Sequence, residues 1–130
     1  MQSINQLNKE LDSIYSKLKA GLKFRYLFEI HAYPIGEGSK YLEIHDNEYH
    51  IVWSERGDEI KRFTTKCSTE ILFQYTSLAI KNIVLSTSYD NTRPEIARRL
   101  DLMRIINTEW AEREKTEFIR SFPDEECDCI

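Results

Sequence analysis

The sequence has few of the features that mark exported or membrane proteins. It contains three cysteines, an odd number, and a bridge between the neighbouring Cys127 and Cys129 would constrain almost nothing. The N-terminus lacks the basic start and apolar run of a signal peptide. No stretch approaches the ~18 consecutive apolar residues of a membrane span. These absences predict a cytoplasmic protein in a reducing compartment, without a membrane partner.

The motifs of the common enzyme classes are also missing. Gly36 and Gly38 lack the third glycine and the strand-to-helix context of a phosphate-binding loop. No Ser, Cys or Lys nucleophile lies in a known catalytic motif. Cys67, Cys127 and Cys129 form no CxxC pair of the kind that binds zinc. We therefore expect a protein that is not an enzyme and has no cofactor and no metal.

The composition is that of a globular protein with an acidic end. The chain has 130 residues, 41% hydrophobic and 31% charged, which predicts a single domain over residues 1–130. The net charge is −4, and the acidic excess is concentrated in residues 109–130, where eight acids face three bases. Because carboxylates repel phosphates, we expect no nucleic-acid partner, and the charge favours a basic protein partner.

The N-terminal third predicts one helix followed by extended chain. Apolar residues recur at helical spacing in residues 3–20, where Ser3 can cap the start and Gly21 can end the helix. Residues 22–33 are rich in large apolar side chains but alternate poorly, and we expect them to be extended. The apolar stripe of the helix consists of Ile4, Leu7, Leu11, Ile14 and Leu18.

The middle of the chain predicts an antiparallel sheet. Residues 41–45 and 48–54 flank Asp46-Asn47, a pair that tolerates the positive φ of a tight turn. A second turn at residues 56–58 leads to a third strand over 59–65. If the first loop has two residues, the strands acquire one apolar and one polar side. The apolar side carries Leu42, Ile44, Tyr49, Ile51 and Trp53, and the polar side carries Glu43, His45, Glu48 and His50.

The rest of the chain predicts two helices. Ser68 can cap a helix from Thr69 to about Leu85, and residues 92–95 read as a capping box before a helix that runs to about Arg120. The expected fold is α+β: an N-terminal helix, an antiparallel sheet of three or more strands, and two C-terminal helices packed on one sheet face. The apolar side of the sheet should contact Tyr75, Leu100, Met103 and Trp110.

The polar side of the sheet has the inventory of a metal site. Imidazole and carboxylate are zinc ligands, so Glu43, His45, Glu48 and His50 make a metal protein or an enzyme the alternative hypothesis. On a flat strand face, however, the diagonal pair His45 and His50 would be ~7 Å apart, and both would lie next to solvent. We favour a solvated polar face.

Two arginine features allow more than one interpretation. Arg56 precedes Gly57 in the second turn. Its side chain could lie exposed at an ordinary hairpin tip, could bind a carboxylate that links the sheet to the helices, or could contact a partner protein. The pair Arg98-Arg99 is a phosphate patch or, more simply, a salt-bridged surface in which Arg98 meets Asp101 one turn on.

Several of these segments together resemble a known family. They are Tyr41–Ile44, Tyr49–Gly57, and the helix that opens with Ala97-Arg98-Arg99 and ends in Trp110. With these segments, the chain resembles a family of immunity proteins from bacterial polymorphic toxin systems. It is the family numbered sixty-three in the series of immunity proteins, and the resemblance extends roughly over residues 40–125. The chain departs from the family pattern at Ala97, where Asp is usual. The resemblance implies a cytoplasmic protein that neutralises one cognate toxin domain, without catalysis.

The acidic end predicts where such a toxin binds. Many delivered toxins are nucleases, whose active sites are basic because they hold phosphate. Carboxylates placed there would steer association and form charge-assisted contacts. A regulatory adaptor of a mobile element is a further alternative. The candidate interface residues are Arg56, Glu109, Glu112, Glu117, Asp124, Glu125, Glu126 and Asp128.

Overall fold

The computed structural model describes residues 1–35, 39–87 and 94–121. The elements within these ranges confirm the expected α+β class, because an N-terminal helix precedes a three-stranded antiparallel sheet and further helices follow. In chain order they are α1 (Ile4–Ser16), a 3₁₀-helix (Arg25–Phe28), β1 (Lys40–His45), β2 (Glu48–Glu55), β3 (Asp58–Thr65), α2 (Ser68–Ser86), α3 (Glu95–Ile106) and α4 (Thr108–Ser121).

Helix α1 begins as expected but ends early. Ser3 caps it in a capping box with Gln6, and the predicted stripe packs inward. The helix ends at Ser16 because the chain then turns through left-handed Lys19 (φ 53°) and Gly21 (φ 68°). The hydroxyl of Tyr15 stabilises this turn, since it donates to the carbonyl of Gly21 at 2.7 Å.

The expected extended chain over residues 22–33 is wrong at its centre, where residues 25–28 form the 3₁₀-helix. Two tertiary anchors explain this difference. Phe28 and Ile30 are buried in the core, and the Asn8 side chain in α1 binds both the N–H and the C=O of Ile30, at 2.7 and 3.1 Å. A strand here would compete with these contacts.

The two hairpins form in the expected register. Ile44 pairs with Tyr49 across a turn whose central residues, Asp46 and Asn47, have φ of 56° and 59°. Both φ values are positive, as a two-residue turn matched to the strand twist requires. The second turn has the same character, with Arg56 at φ 54° and Gly57 at φ 84°. The sheet order is β1-β2-β3.

The two sides of the sheet are less different than expected. On the apolar side Tyr49 and Ile51 are fully buried, but Ile44 is 37% exposed. The polar side contains the fully buried Val52 and the nearly buried Ser54. Strand β2 is the middle strand, with β1 on one edge and β3 on the other. The burial of a side chain therefore depends on which strand carries it as well as on which side of the sheet it lies.

The described C-terminal residues form three helices rather than the two expected, because the predicted last helix is interrupted at Asn107. That residue is extended (φ −163°, ψ 116°), and its side chain accepts a hydrogen bond from the N–H of Trp110 at 3.1 Å. Asn107 thus caps α4 and allows α4 to fold back on α3. Helix α2 begins after Cys67, which makes no side-chain cap bond, rather than after Ser68.

One hydrophobic core includes residues of both the sheet and the C-terminal helices, and α2 packs directly on β2 and β3. Leu42, Tyr49 and Ile51 belong to the same cluster as the residues expected to meet them, and the partly buried Trp53 and Trp110 pack against it. The predicted capping residue Thr92 and the stop at Pro123 lie outside the described residues. Within the described ranges, no helix has both the length and the hydropathy needed to cross a bilayer. The helical residues expected to contact the sheet and found in this cluster are Tyr75, Leu100 and Met103.

Candidate functional site

The side of the sheet that faces away from α2 carries a connected polar network. Helix α2 packs against β2 and β3, and its side chains join the core on the apolar side. Because neighbouring residues of a strand point to opposite sides, the predicted polar residues lie on the other side. Strand β3 adds Glu59 and Arg62, which pair with Ser54 and Val52 of β2. We call this surface the polar sheet face: Glu43, His45, Glu48, His50, Glu59 and Arg62.

Arg62 is the centre of the polar sheet face. Its Nε and Nη2 donate to the two carboxylate oxygens of Glu59 at 2.9 and 2.6 Å. Its Nη1 donates to Oε2 of Glu43 at 3.2 Å and to Nδ1 of His50 at 3.0 Å. The hydrogen bond from Arg62 lowers the pKa of Glu59. At Glu43, burial by itself would raise the pKa of the carboxyl. The hydrogen bonds from Arg62 and His45 outweigh it, so the pKa of Glu43 is lowered.

The two histidines are closer together than the sequence predicted. Their rings stack with centroids 3.9 Å apart and planes 18° from parallel, and His45 Nε2 lies 3.0 Å from Oε2 of Glu43. His50 is only 9% exposed, so the expectation that it lies next to solvent is wrong. Since Arg62 can only donate, the neutral His50 ring carries its hydrogen on Nε2. That atom is buried and has no hydrogen-bond partner among the described residues.

The metal alternative finds no support in this geometry. Among the described residues, no group of three or more His, Cys, Asp or Glu side chains is arranged to hold a metal ion. Stacked imidazole rings direct their nitrogens along parallel edges rather than toward a common point. The nearby carboxylate of Glu43 is already engaged by Arg62 and His45. Hydrogen bonding within the protein accounts for these contacts.

A second polar cluster connects the three C-terminal helices. Glu114 of α4 is 3% exposed and accepts hydrogen bonds from Ser77 of α2 and, at 2.8 Å, from Nη2 of Arg99 in α3. The sequence reasoning missed Glu114. Glu114 comes three residues after the apolar Ala111, and this helical spacing indicates that both side chains lie on the inward side of α4. Among the described residues, Asp101 contacts Arg104 at 3.4 Å rather than the expected Arg98, and Arg99 contacts Glu114.

Helix α4 is also fastened to α2 by a forked ion pair. Arg113 donates to both carboxylate oxygens of Glu70, at 2.7 and 2.6 Å, and its guanidinium lies 3.8 Å from the centroid of the Phe73 ring. Such a two-pronged contact is stronger than a single hydrogen bond. The hydrogen bond from Arg113 lowers the pKa of Glu70 below its usual value of 4.5.

The lowered pKa of Glu70 predicts acid-sensitive stability. A carboxyl whose pKa is lower in the folded state stabilises the fold above its unfolded pKa, and this contribution disappears as the pH falls through the folded pKa. We expect Glu70→Gln to reduce the free energy of unfolding by about 2 kcal/mol at pH 7. The difference from the unsubstituted protein should shrink below pH 4.5. Urea unfolding at pH 7 and pH 3 tests this, and an equal difference at both pH values would contradict it.

The predicted interface residues do not form one described cluster. Glu109 and Glu112 are exposed on α4, whereas the exposed Glu117 accepts a hydrogen bond from Nε of Arg113 at 3.0 Å. Arg56 is exposed at the tip of the second hairpin. The structure therefore assigns α4 only two acids that are exposed and have no ion pair within the described residues. The remaining candidates, Asp124, Glu125, Glu126 and Asp128, lie outside the described residues.

Comparison with known proteins identifies the class. A family model described as Immunity protein 63 matches residues 46–120, from the first hairpin turn to the end of α4. This chain is thus an immunity protein, a class whose members bind a cognate toxin protein. It belongs to the Immunity protein 63 family. No curated protein and no solved structure matches the chain significantly.

Proposed function

We propose that this protein binds and neutralises one cognate toxin domain in the cytoplasm of the bacterium that produces it. The observation that carries the proposal is the family match, which extends over most of the sheet and all three C-terminal helices. Family membership favours a binding role over a catalytic one. The absence of a metal-holding group among the described residues is compatible with this proposal.

We further propose that the toxin is a nuclease and that the acidic C-terminal end of this chain contacts its basic surface. Glu109 and Glu112 support this, because both are exposed on α4 and neither has an ion-pair partner among the described residues. Four more acids follow in residues 124–128. Exposed charges of this kind act mainly by accelerating the encounter of two proteins.

Charge reversal in the C-terminal segment should slow toxin binding. In the variant Glu125→Lys, Glu126→Lys, Asp128→Lys, we expect the association rate constant to fall about tenfold at low salt and to lose most of its salt dependence. The dissociation rate should change little. The measurement is surface plasmon resonance against an inactive form of the cognate toxin domain, at two salt concentrations.

The control separates a local role from a general effect of charge. Lys substitution at Glu10, Asp12 and Glu29 changes the net charge equally on exposed positions near α1. If both variants slow association to the same degree, the effect reflects net charge alone, and the C-terminal acids do not contact the toxin specifically. Protection of growing cells against the toxin, with and without this gene, tests the function itself. Toxicity that is unchanged by expression of this gene would overturn the proposal.

A further inference from the structure

We propose that the polar sheet face is the surface to which a basic segment of the toxin binds, an inference that rests on the proposed function. Three independent features of the described residues lead to it. The face is open, its charge is negative, and its side chains are held in place before a partner arrives. A buried ring nitrogen on the same face also has no acceptor within residues 1–35, 39–87 and 94–121, and a partner can supply one.

The face is open because the helices lie on the other side of the sheet. Helix α2 covers the apolar side, while the side chains of His45 and Glu59 on the polar side are 47% and 45% exposed. Glu43 and Arg62 are about one-third exposed each. A partner can therefore reach both carboxylates and the ring of His45 without any change in the fold.

The charge of the face selects a basic partner. Glu43, Glu48 and Glu59, together with Asp46 in the adjoining turn, face the single guanidinium of Arg62, which leaves a formal charge of −3 with neutral histidines. Arg62 is turned toward its own carboxylates and so presents little positive charge outward. A surface of this kind attracts lysine and arginine side chains and repels phosphate or acidic segments.

The side chains are ordered in advance by their bonds to one another. Arg62 connects Glu59, Glu43 and His50, and His45 is bonded to Glu43 and stacked on His50. All five residues are on paired strands. Because their rotamers are already restricted, little additional conformational entropy is lost when a partner binds.

His50 indicates a second contact. Its ring is stacked against His45 and about nine-tenths buried, and its Nε2 has no hydrogen-bond partner in the described part of the chain. A buried donor without an acceptor is unfavourable. A carbonyl oxygen of the bound segment completes this bond by approaching the edge of the His50 ring in the ring plane, which keeps the stack with His45. The partner is thus a stretch of chain that supplies a cationic side chain and a main-chain carbonyl together.

The test compares two variants that remove the same charge. Glu43→Gln with Glu48→Gln neutralises the polar sheet face, and Glu10→Gln with Glu29→Gln neutralises two exposed glutamates near α1. The probe is an inactive form of the cognate toxin domain, and circular dichroism verifies that each variant folds. We expect the first variant to raise the Kd at least tenfold, mainly through faster dissociation, and the second to change it less than twofold.

The outcomes distinguish this inference from the proposed function. If the unsubstituted protein does not bind the toxin domain, the proposed function fails and this inference fails with it. If it binds and the two variants have equal affinity, only this inference fails. Carbodiimide labelling of the unsubstituted protein is an independent test, since the complex should protect Glu43, Asp46 and Glu48. A free chain that is dimeric through this face would assign the face to a second copy and overturn the inference.

Discussion

Replacing Glu114 by glutamine is expected to lower the free energy of unfolding by about 3 kcal/mol. The carboxylate is 3% exposed and neutralises Arg99, whose side chain is 18% exposed. Without that charge, the largely buried Arg99 keeps only its longer contact with the more exposed Glu95, at 4.0 Å, and the bond from Ser77 is weakened. The loss affects the junction of α2, α3 and α4 at once. Equilibrium unfolding in urea, followed by far-UV circular dichroism, measures it.

Two comparisons make this prediction specific. Glu112→Gln changes an exposed glutamate on the same helix and should alter stability by less than about 0.5 kcal/mol. Combining Glu114→Leu with Arg99→Met removes both charges, and we expect this pair to be more stable than Glu114→Gln alone, because no buried charge is left unpaired. If Glu114→Gln is as stable as Glu112→Gln, the cluster does not stabilise the helical junction.

Truncating Ile51 should have a similarly large effect. Ile51 is fully buried in the middle strand, so Ile51→Ala leaves a cavity and should cost about 2–5 kcal/mol of unfolding free energy. Ile44 is the same residue type on the same side of the sheet, but it is 37% exposed in the edge strand β1. We expect Ile44→Ala to cost less than about 1 kcal/mol, because water already reaches the side chain.

The pair also tests how the sheet is buried. Both residues satisfy the alternation that predicts the apolar side, and only their positions in the sheet differ. Thermal unfolding of the two variants under the same conditions provides the measurement. Equal destabilisation would mean that the edge strand is as well covered as the middle strand, contrary to the exposure of Ile44.

The first hairpin is the part of the fold that local chemistry predicted most closely. Asp46 and Asn47 adopt positive φ, and the resulting register pairs Ile44 with Tyr49 and Leu42 with Ile51 as expected. The capping of α1 by Ser3 is equally local. In each case the determining interaction connects residues only a few positions apart, so the amino-acid pattern contains the necessary information.

The end of α1, the 3₁₀-helix and the break at Asn107 depended on contacts between distant segments. Asn8 holds the backbone of Ile30, and the Tyr15 hydroxyl holds the turn at Gly21. A continuous last helix would have kept Glu114 far from Arg99. These outcomes reflect competition between local preference and tertiary hydrogen bonds, and a single sequence does not reveal which of the two prevails.

The polar sheet face shows the same division most clearly. Alternation and turn chemistry by themselves determined that Glu43, His45 and His50 share a side of the sheet. Tertiary structure alone brought Arg62 from β3 between them, stacked the two rings and buried His50. The reason is physical: strand periodicity specifies the direction of each side chain, but burial and bonding depend on what the neighbouring strand brings alongside.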